Sequence, residues 1–298
     1  MQVLVVDAFA TEPMAGRPVA VLPDADPTPT DDQARAVAAE LGATGTLLDG
    51  PDGLRHVGRE NGASGAGDAT VAGSVAAGSL VDRDCREPGT VPVAGTRFSV
   101  TVEADGTAGL ELAVSHDEAG VATGRIAGAL GVDPAALRDV GADLPPARVV
   151  AGSAVLAVPV NFSDHLAQAT PDPAAVAGLL DDADATAVYA FSFDTLSADA
   201  DWLARVFAPG GELAVSARGA AGCGVYGLQQ GAFDAGTDTL VAASGGFLDR
   251  PSRVTVDPSG ERTDDSGRRL VRVSGHSTVA FDGSVTLPPA DDDDIIRA

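Results

Sequence analysis

The 298 residues carry 43 Asp and Glu against 19 basic residues, all of them Arg, for a formal net charge of -24 with no lysine anywhere. A chain this negative repels phosphate backbones and anionic lipid, which argues against nucleic-acid and membrane partners, and the missing lysine excludes a lysine Schiff base and a P-loop. The composition is that of a protein kept soluble in strong salt, where charges are screened over ~3 Å at about 1 M, and 45% hydrophobic content suffices for one large core or two ordinary ones.

In chain order, Val3 to Phe9 and Pro18 to Leu22 are short apolar runs, read as two strands joined around Met14-Ala15-Gly16-Arg17. Thr30-Asp31-Asp32-Gln33 is a capping box that opens a helix through Ala34 and Val37 to Leu41, ended by Gly42. Thr46 to Leu48 and Leu54 to Val57 read as a hairpin around the turn Asp49 to Gly53. A glycine-dense loop, Gly62 to Thr70, then feeds a small-residue helix from Ala69 to Leu80, with Asp68 or Thr70 as its N-cap. Strands are expected at Thr90 to Val93, Arg97 to Val102 and Ala108 to Val114. A first domain therefore spans 1–115.

The remainder, 116–298, reads as a second domain whose last strands can return to the first. It opens with a helix from Val121 to Leu130 and a short one from Pro134 to Arg138, followed by one apolar strand from Ala151 to Val160. Pro171 to Leu180 is a helix with Pro in its first turn, and Thr186 to Phe193 is a buried strand. Trp202 to Phe207 leads into Ser216-Ala217-Arg218-Gly219-Ala220-Ala221-Gly222, a second loop-helix unit that continues to Leu228. Strands at Val254 to Val256, Leu270 to Ser274, Thr278 to Phe281 and Ser284 to Leu287 precede an acidic end, Asp291 to Asp294.

Two glycine-rich loops that each run into a helix suggest two halves facing one cleft. A helix start presents unpaired N–H groups and the positive end of a dipole, which together favour an anion. Either unit alone is more simply a small-residue helix at a crowded contact; the pairing carries the signal. Cys85 and Cys223 lie too far apart for a metal motif and read as buried thiols, and His56, His116, His165 and His276 are scattered singly as surface or packing residues. No metal site is expected. The start Met1-Gln2-Val3-Leu4-Val5-Val6 has no basic segment, and no apolar run approaches the ~20 residues of a spanning helix, so the protein reads as soluble and cytoplasmic.

The segments Val5-Val6-Asp7-Ala8-Phe9, Gly16-Arg17-Pro18-Val19-Ala20-Val21, Ala66-Gly67-Asp68-Ala69-Thr70, Arg205-Val206-Phe207-Ala208-Pro209 and Arg250-Pro251-Ser252 followed by Val273-Ser274-Gly275 resemble, in order and spacing, the PhzF-like isomerases of phenazine biosynthesis. The resemblance implies the diaminopimelate-epimerase-like α+β fold: two similar domains, each a curled, barrel-like sheet around a central helix, with the active site between them. It implies proton transfer on a small carboxylate-bearing metabolite without metal or organic cofactor, and allows a homodimer.

The resemblance also shows departures. Where the family has Ser-Glu-Thr-Ala-Phe, this chain has Thr44-Gly45-Thr46-Leu47-Leu48, so the catalytic glutamate becomes Gly45. The family's Cys-Gly-His-Ala-Thr becomes Ala66-Gly67-Asp68-Ala69-Thr70, and Glu-Asp-Pro-Ala-Thr-Gly-Ser-Ala becomes Ala217-Arg218-Gly219-Ala220-Ala221-Gly222-Cys223-Gly224. A proton-transfer step needs a positioned acid or base, worth roughly 10²–10⁴-fold. Asp68 is the catalytic candidate on these loops, with a plain helix cap as its other reading; Glu40, at the end of the helix just before Gly45, is an alternative that reads more simply as a solvated helix-face glutamate. Gly67, Arg218, Gly219, Ala220, Ala221 and Gly222 are the substrate-binding candidates, with Arg218 able to clamp a carboxylate or to pair with one of the many acids. Three functions follow: an isomerase or epimerase, a non-catalytic small-anion binder, and a structural or regulatory partner protein.

The charge balance makes a first prediction. Carboxylates at this density repel one another until counterions screen them, so the thermal midpoint rises steeply between low and multimolar KCl. A midpoint that stays level across that range contradicts the strong-salt reading.

Overall fold

The structure is a computed structural model that describes residues 1–50, 53–59, 66–96, 98–138, 140, 144–258 and 262–289. Strands β1 (Gln2–Ala8) and β2 (Arg17–Leu22) pair antiparallel, and β2 runs parallel to β3 (Gly45–Gly50) because helix α1 (Asp31–Glu40) crosses between them. The Thr30 and Gln33 side chains close the expected capping box at the start of α1. Strand β4 (Gly53–Gly58) completes the hairpin with β3. Alternation decides the faces: Val19, Val21, Leu47 and Leu54 point inward onto Val71, Ala72 and Val75 of α2 (Ala66–Val75), while Ala20, Leu22 and Leu48 pack outward on α1.

The small-residue helix differs from expectation in two ways. It starts at Ala66, so Asp68 and Thr70 lie inside its first turns and neither is an N-cap. It also breaks at Ala76 and Ala77 before a short α3 (Gly78–Asp82), where the backbone presses on the turn at Gly106: a Cβ on Gly78 would stand 2.1 Å from the Gly106 carbonyl oxygen. Strands β5 (Gly89–Pro92), β6 (Ser99–Val102) and β7 (Ala108–Glu118) follow, and β7 runs through residue 115.

In the second half, α4 (Thr123–Leu130) and a 3-10 turn at Pro134–Leu137 lead to β8 (Ala147–Ala151) and β9 (Ser153–Pro159). The single strand expected from Ala151 to Val160 is thus the second arm of a hairpin, folded back at Gly152, whose φ of 91° is a left-handed conformation that glycine tolerates. Helices α5 (Ser163–Ala167) and α6 (Pro173–Asp182) lie outside; Asp172 caps α6 and Pro173 fills its first turn. Next come β10 (Val188–Ser192), β11 (Trp202–Ala208), β12 (Gly211–Leu213), α7 (Ala217–Gln229), β13 (Leu240–Ser244), β14 (Ser252–Asp257), β15 (Arg269–Gly275) and β16 (Ser277–Ser284). The strand expected from Ser284 to Leu287 is absent: β16 ends at Ser284, and Leu287 packs against the α1 side. The acidic end at Asp291 to Asp294 lies outside the described residues.

The strand order β7-β8-β9-β10-β11-β13-β14-β15 closes on itself because β15 pairs again with β7. That ring wraps α7, whose Cys223, Val225 and Tyr226 belong to the core. The other sheet, β16-β1-β2-β3-β4, curls around α2, and β16, the last strand among the described residues, returns to pair with β1. The result is the two-domain diaminopimelate-epimerase-like α+β fold, each curled sheet holding one helix. Cys223 is buried, and its thiol pKa is pushed well up by that burial; Cys85, expected to be buried, is exposed because it follows the end of α3 at the surface.

The two halves are clipped together at Asp7. This carboxylate, 1% exposed, accepts from the Met14 N–H at 2.7 Å and from Arg250 Nη2 at 2.5 Å, while Arg250 also donates to the carbonyls of Ala15 and Gly16. Burial raises the Asp7 pKa, against the pull of those two donors. Removing one charge strands the other. Asp7→Asn is therefore expected to cost about 3 kcal/mol in denaturant unfolding, and a loss within experimental error of zero contradicts the clip.

Candidate functional site

The starts of α2 and α7 meet. Asp68, in the first turn of α2 and 8% exposed, accepts from Ser216 Oγ at 2.6 Å and from the Arg218 backbone N–H at 3.1 Å. Ser216 in turn accepts from the Gly219 N–H at 3.0 Å and so caps α7. The carboxylate of one half thus sits on the helix start of the other, where unpaired N–H groups and the dipole favour a negative charge. Sequence reading treated the two starts as anion pockets; at α7 the occupant in this structure is Asp68 itself.

Arg218 leaves that junction sideways. Its guanidinium crosses Gly152, where a Cβ would lie 2.5 Å from Nη1, and reaches Ser153 Oγ at a long 3.4 Å. Its buried Nε has no hydrogen-bond partner, and among the described residues no carboxylate lies within 4 Å of it. Burial lowers the Arg218 pKa and the nearby Asp68 charge raises it. The side chain lines a cavity of about 540 Å³ together with Thr70, Phe98, Ala151 and Gly152. Three acids also line this cavity: Asp264 pairs with Arg268 and Glu111 with Arg262, while Asp265 makes no ion pair among the described residues.

The other proposed binding positions face inward. A Cβ on Gly219 would meet Tyr189 Cδ2 at 2.3 Å and one on Gly222 would meet Val149 Cβ at 2.6 Å, so these glycines let the barrel close on the helix. Ala220 and Ala221 are fully buried, and the Ala220 N–H donates to the Ser216 carbonyl. Gly67 falls in the first turn of α2, and the loop Gly62 to Gly65 before it lies outside the described residues.

At Gly45 the structure adds two residues that the sequence did not single out. The imidazole of His56 fills the space that a side chain at 45 would need: a Cβ there would stand 2.3 Å from His56 Nε2, and one on Gly73 of α2 would stand 2.2 Å from His56 Cδ2. Two glycines on facing elements clear a slot for one ring. Beside it on β2 is Arg17, 7% exposed, with buried Nε and Nη1 unpartnered; His56 Nε2 is likewise buried and unpartnered. Burial lowers the Arg17 pKa while Asp68 raises it. Burial, and then the Arg17 charge, lower the His56 pKa from the ordinary 6.5 to about 4. Alternation along β2 and β4 could have placed both side chains inward, beside Val19 and Leu54; their meeting is a product of strand pairing.

Among the described residues no group of three His, Cys, Asp or Glu side chains is placed to hold a metal ion, and no helix is long and apolar enough to cross a membrane. Neither a protein-family profile nor a curated protein matches the chain. Solved structures do. A PhzF-family phenazine biosynthesis protein of Bacillus anthracis superposes with a TM-score of 0.80 at 18% identity, covering 96% of this chain and 99% of that one. A predicted epimerase of Pseudomonas aeruginosa gives 0.72 at 22% identity, with 96% and 99% covered. A probable proline racemase of Agrobacterium radiobacter, solved with bound carbonate, gives 0.58 at 14% identity over 97% and 94%. The chain shares the fold of these proteins over nearly its whole length.

The histidine slot has a pH consequence. Folding lowers the His56 pKa, so its contribution is fully present above pH 6.5 and is lost as the pH falls from 6.5 towards 4. The shift corresponds to about 3 kcal/mol across that window. His56→Gln should flatten the acid limb of the stability profile by that order, and a variant whose limb superposes on the wild type contradicts the buried neutral imidazole.

Proposed function

We propose that the protein is a cofactor-independent isomerase or epimerase that acts by proton transfer on a small carboxylate-bearing metabolite held between its two halves, with Arg218 receiving the carboxylate. One observation carries the reading. In a chain with 43 acids and 19 arginines, the Arg218 guanidinium makes no ion pair among the described residues, its buried Nε is unpartnered, and it lines a cavity that Thr70 of α2 also borders. Guanidinium matches a carboxylate with two parallel hydrogen bonds. The shared fold with PhzF-family proteins and a predicted epimerase supports proton transfer as the reaction class. Asp68 is the carboxylate at the junction and the proton carrier of this reading.

A second reading, a non-catalytic binder of small carboxylates, draws on the same site. Gly45 supplies no acid or base, its side-chain space is taken by His56, and both Asp68 oxygens already accept hydrogen bonds. Cytoplasmic location, strong-salt adaptation and a homodimer belong to this proposal through composition and likeness of fold.

Deuterium exchange separates the readings. Amino and imino acids incubated with the protein in deuterated buffer should lose the Cα–H proton signal of at least one member, and Arg218→Met should slow that loss at least tenfold. Asp68→Asn should slow it roughly 10²-fold or more if Asp68 carries the proton. Binding without exchange establishes the second reading; neither binding nor exchange overturns both.

A further inference from the structure

Most of the buried, unpartnered side-chain nitrogens among the described residues lie on three side chains, Arg17, His56 and Arg218. Among the described residues six buried side-chain atoms lack a hydrogen-bond partner, and four of them, Arg17 Nε, Arg17 Nη1, His56 Nε2 and Arg218 Nε, belong to these three: the Asp68 charge acts on both guanidiniums, and the Arg17 charge acts on His56. A buried donor without a partner is costly, and a buried charge more so. Asp68 favours both guanidinium charges but accepts a hydrogen bond from none of these four nitrogens; its donors among the described residues are Ser216 Oγ and the Arg218 N–H. We infer that Arg17 and His56 form a second anion seat, on the first half's side of Asp68, which takes a carboxylate of the ligand.

The placement supports a single receptor. Arg17, Gly45 and His56 stand on three neighbouring strands, β2, β3 and β4, on the face turned to α2; Arg17 is two residues before inward-facing Val19, and His56 two residues after inward-facing Leu54. The ring of His56 is held between Gly45 and Gly73, which fixes Nε2. A planar carboxylate would accept from Arg17 Nε and Nη1 as a fork and from His56 with its proton on Nε2. With Arg218 on the far side of Asp68, the site presents two guanidiniums to one carboxylate. One guanidinium fork on each side of Asp68 offers a seat to each end of a ligand with two carboxylates, a small dicarboxylic acid, where a monoacid fills only one.

This inference rests on the proposal that Arg218 receives a ligand carboxylate, and its test uses the full chain in multimolar KCl at fixed ionic strength, with sodium malonate and sodium acetate as probes. Malonate should raise the wild-type thermal midpoint and bind at least tenfold more tightly than acetate in calorimetry. Arg17→Met should weaken malonate binding at least tenfold while its ligand-free midpoint stays equal to or above the wild type, because a buried guanidinium with two nitrogens lacking a hydrogen bond has been replaced by an apolar chain. Arg17→Lys, which keeps the charge but not the fork, should also bind malonate more weakly than wild type. An Arg17→Met protein that melts well below wild type or fails to fold shows a structural cation and overturns the seat, as does malonate binding unchanged by either Arg17 variant. Binding that survives Arg17→Met but is lost in Arg218→Met overturns the second seat alone; a wild type that binds neither probe counts against the Arg218 reading as well.

Discussion

The arrangement of this protein turns on one carboxylate lying on one helix start. Asp68 reaches from α2 to the Ser216 hydroxyl and the Arg218 N–H of α7, joining residues 148 and 150 positions apart. Each curled sheet holds its own helix, so this contact sets how the two cores face one another. The α7 dipole and its first N–H groups make a negative charge tolerable at a site 8% exposed. Because the Arg218 backbone is spent on Asp68, its side chain is directed away, over Gly152 and towards the cavity. Charge and geometry follow from the same bond.

Small residues serve two purposes here, and only one is chemical. Along α7, Gly219 and Gly222 admit Tyr189 and Val149 and let an eight-strand ring close on a helix. Gly45 and Gly73 serve a single ring, that of His56. The resembled family places glutamate, histidine and aspartate at positions that are here Gly45, Asp68 and Arg218. Negative and positive charges have exchanged sides across the junction, and an imidazole stands where the glutamate side chain would begin. A changed charge pattern on an unchanged scaffold alters what the site attracts before it alters the fold.

Much of the fold was legible because its signals are local. The Thr30–Gln33 capping box, the Pro173 start of α6 and the alternating strands of the first half need only neighbouring residues to be recognised. What escaped depends on partners far away. The fold-back at Gly152 lies inside one apolar run; β12 and β13 are short, and α5 is a single turn. The β15–β7 pairing that closes the ring links segments about 160 residues apart. At the site, Asp68 and Arg218 stood out through their motifs. Arg17 and His56 did not: alternation puts each on the inward face of its strand, beside Val19 and Leu54, but only strand pairing brings the two together.

The central claim is that the junction of the two helices is cationic towards a ligand despite the net charge of -24. Anomalous diffraction from crystals soaked in potassium bromide tests it most directly, because a halide ion seeks unpartnered buried donors without regard to substrate identity. The account predicts ordered bromide within hydrogen-bonding distance of the Arg218 guanidinium or of Arg17 and His56. Bromide confined to the outer surface, with every one of these nitrogens paired to protein oxygen, would contradict it.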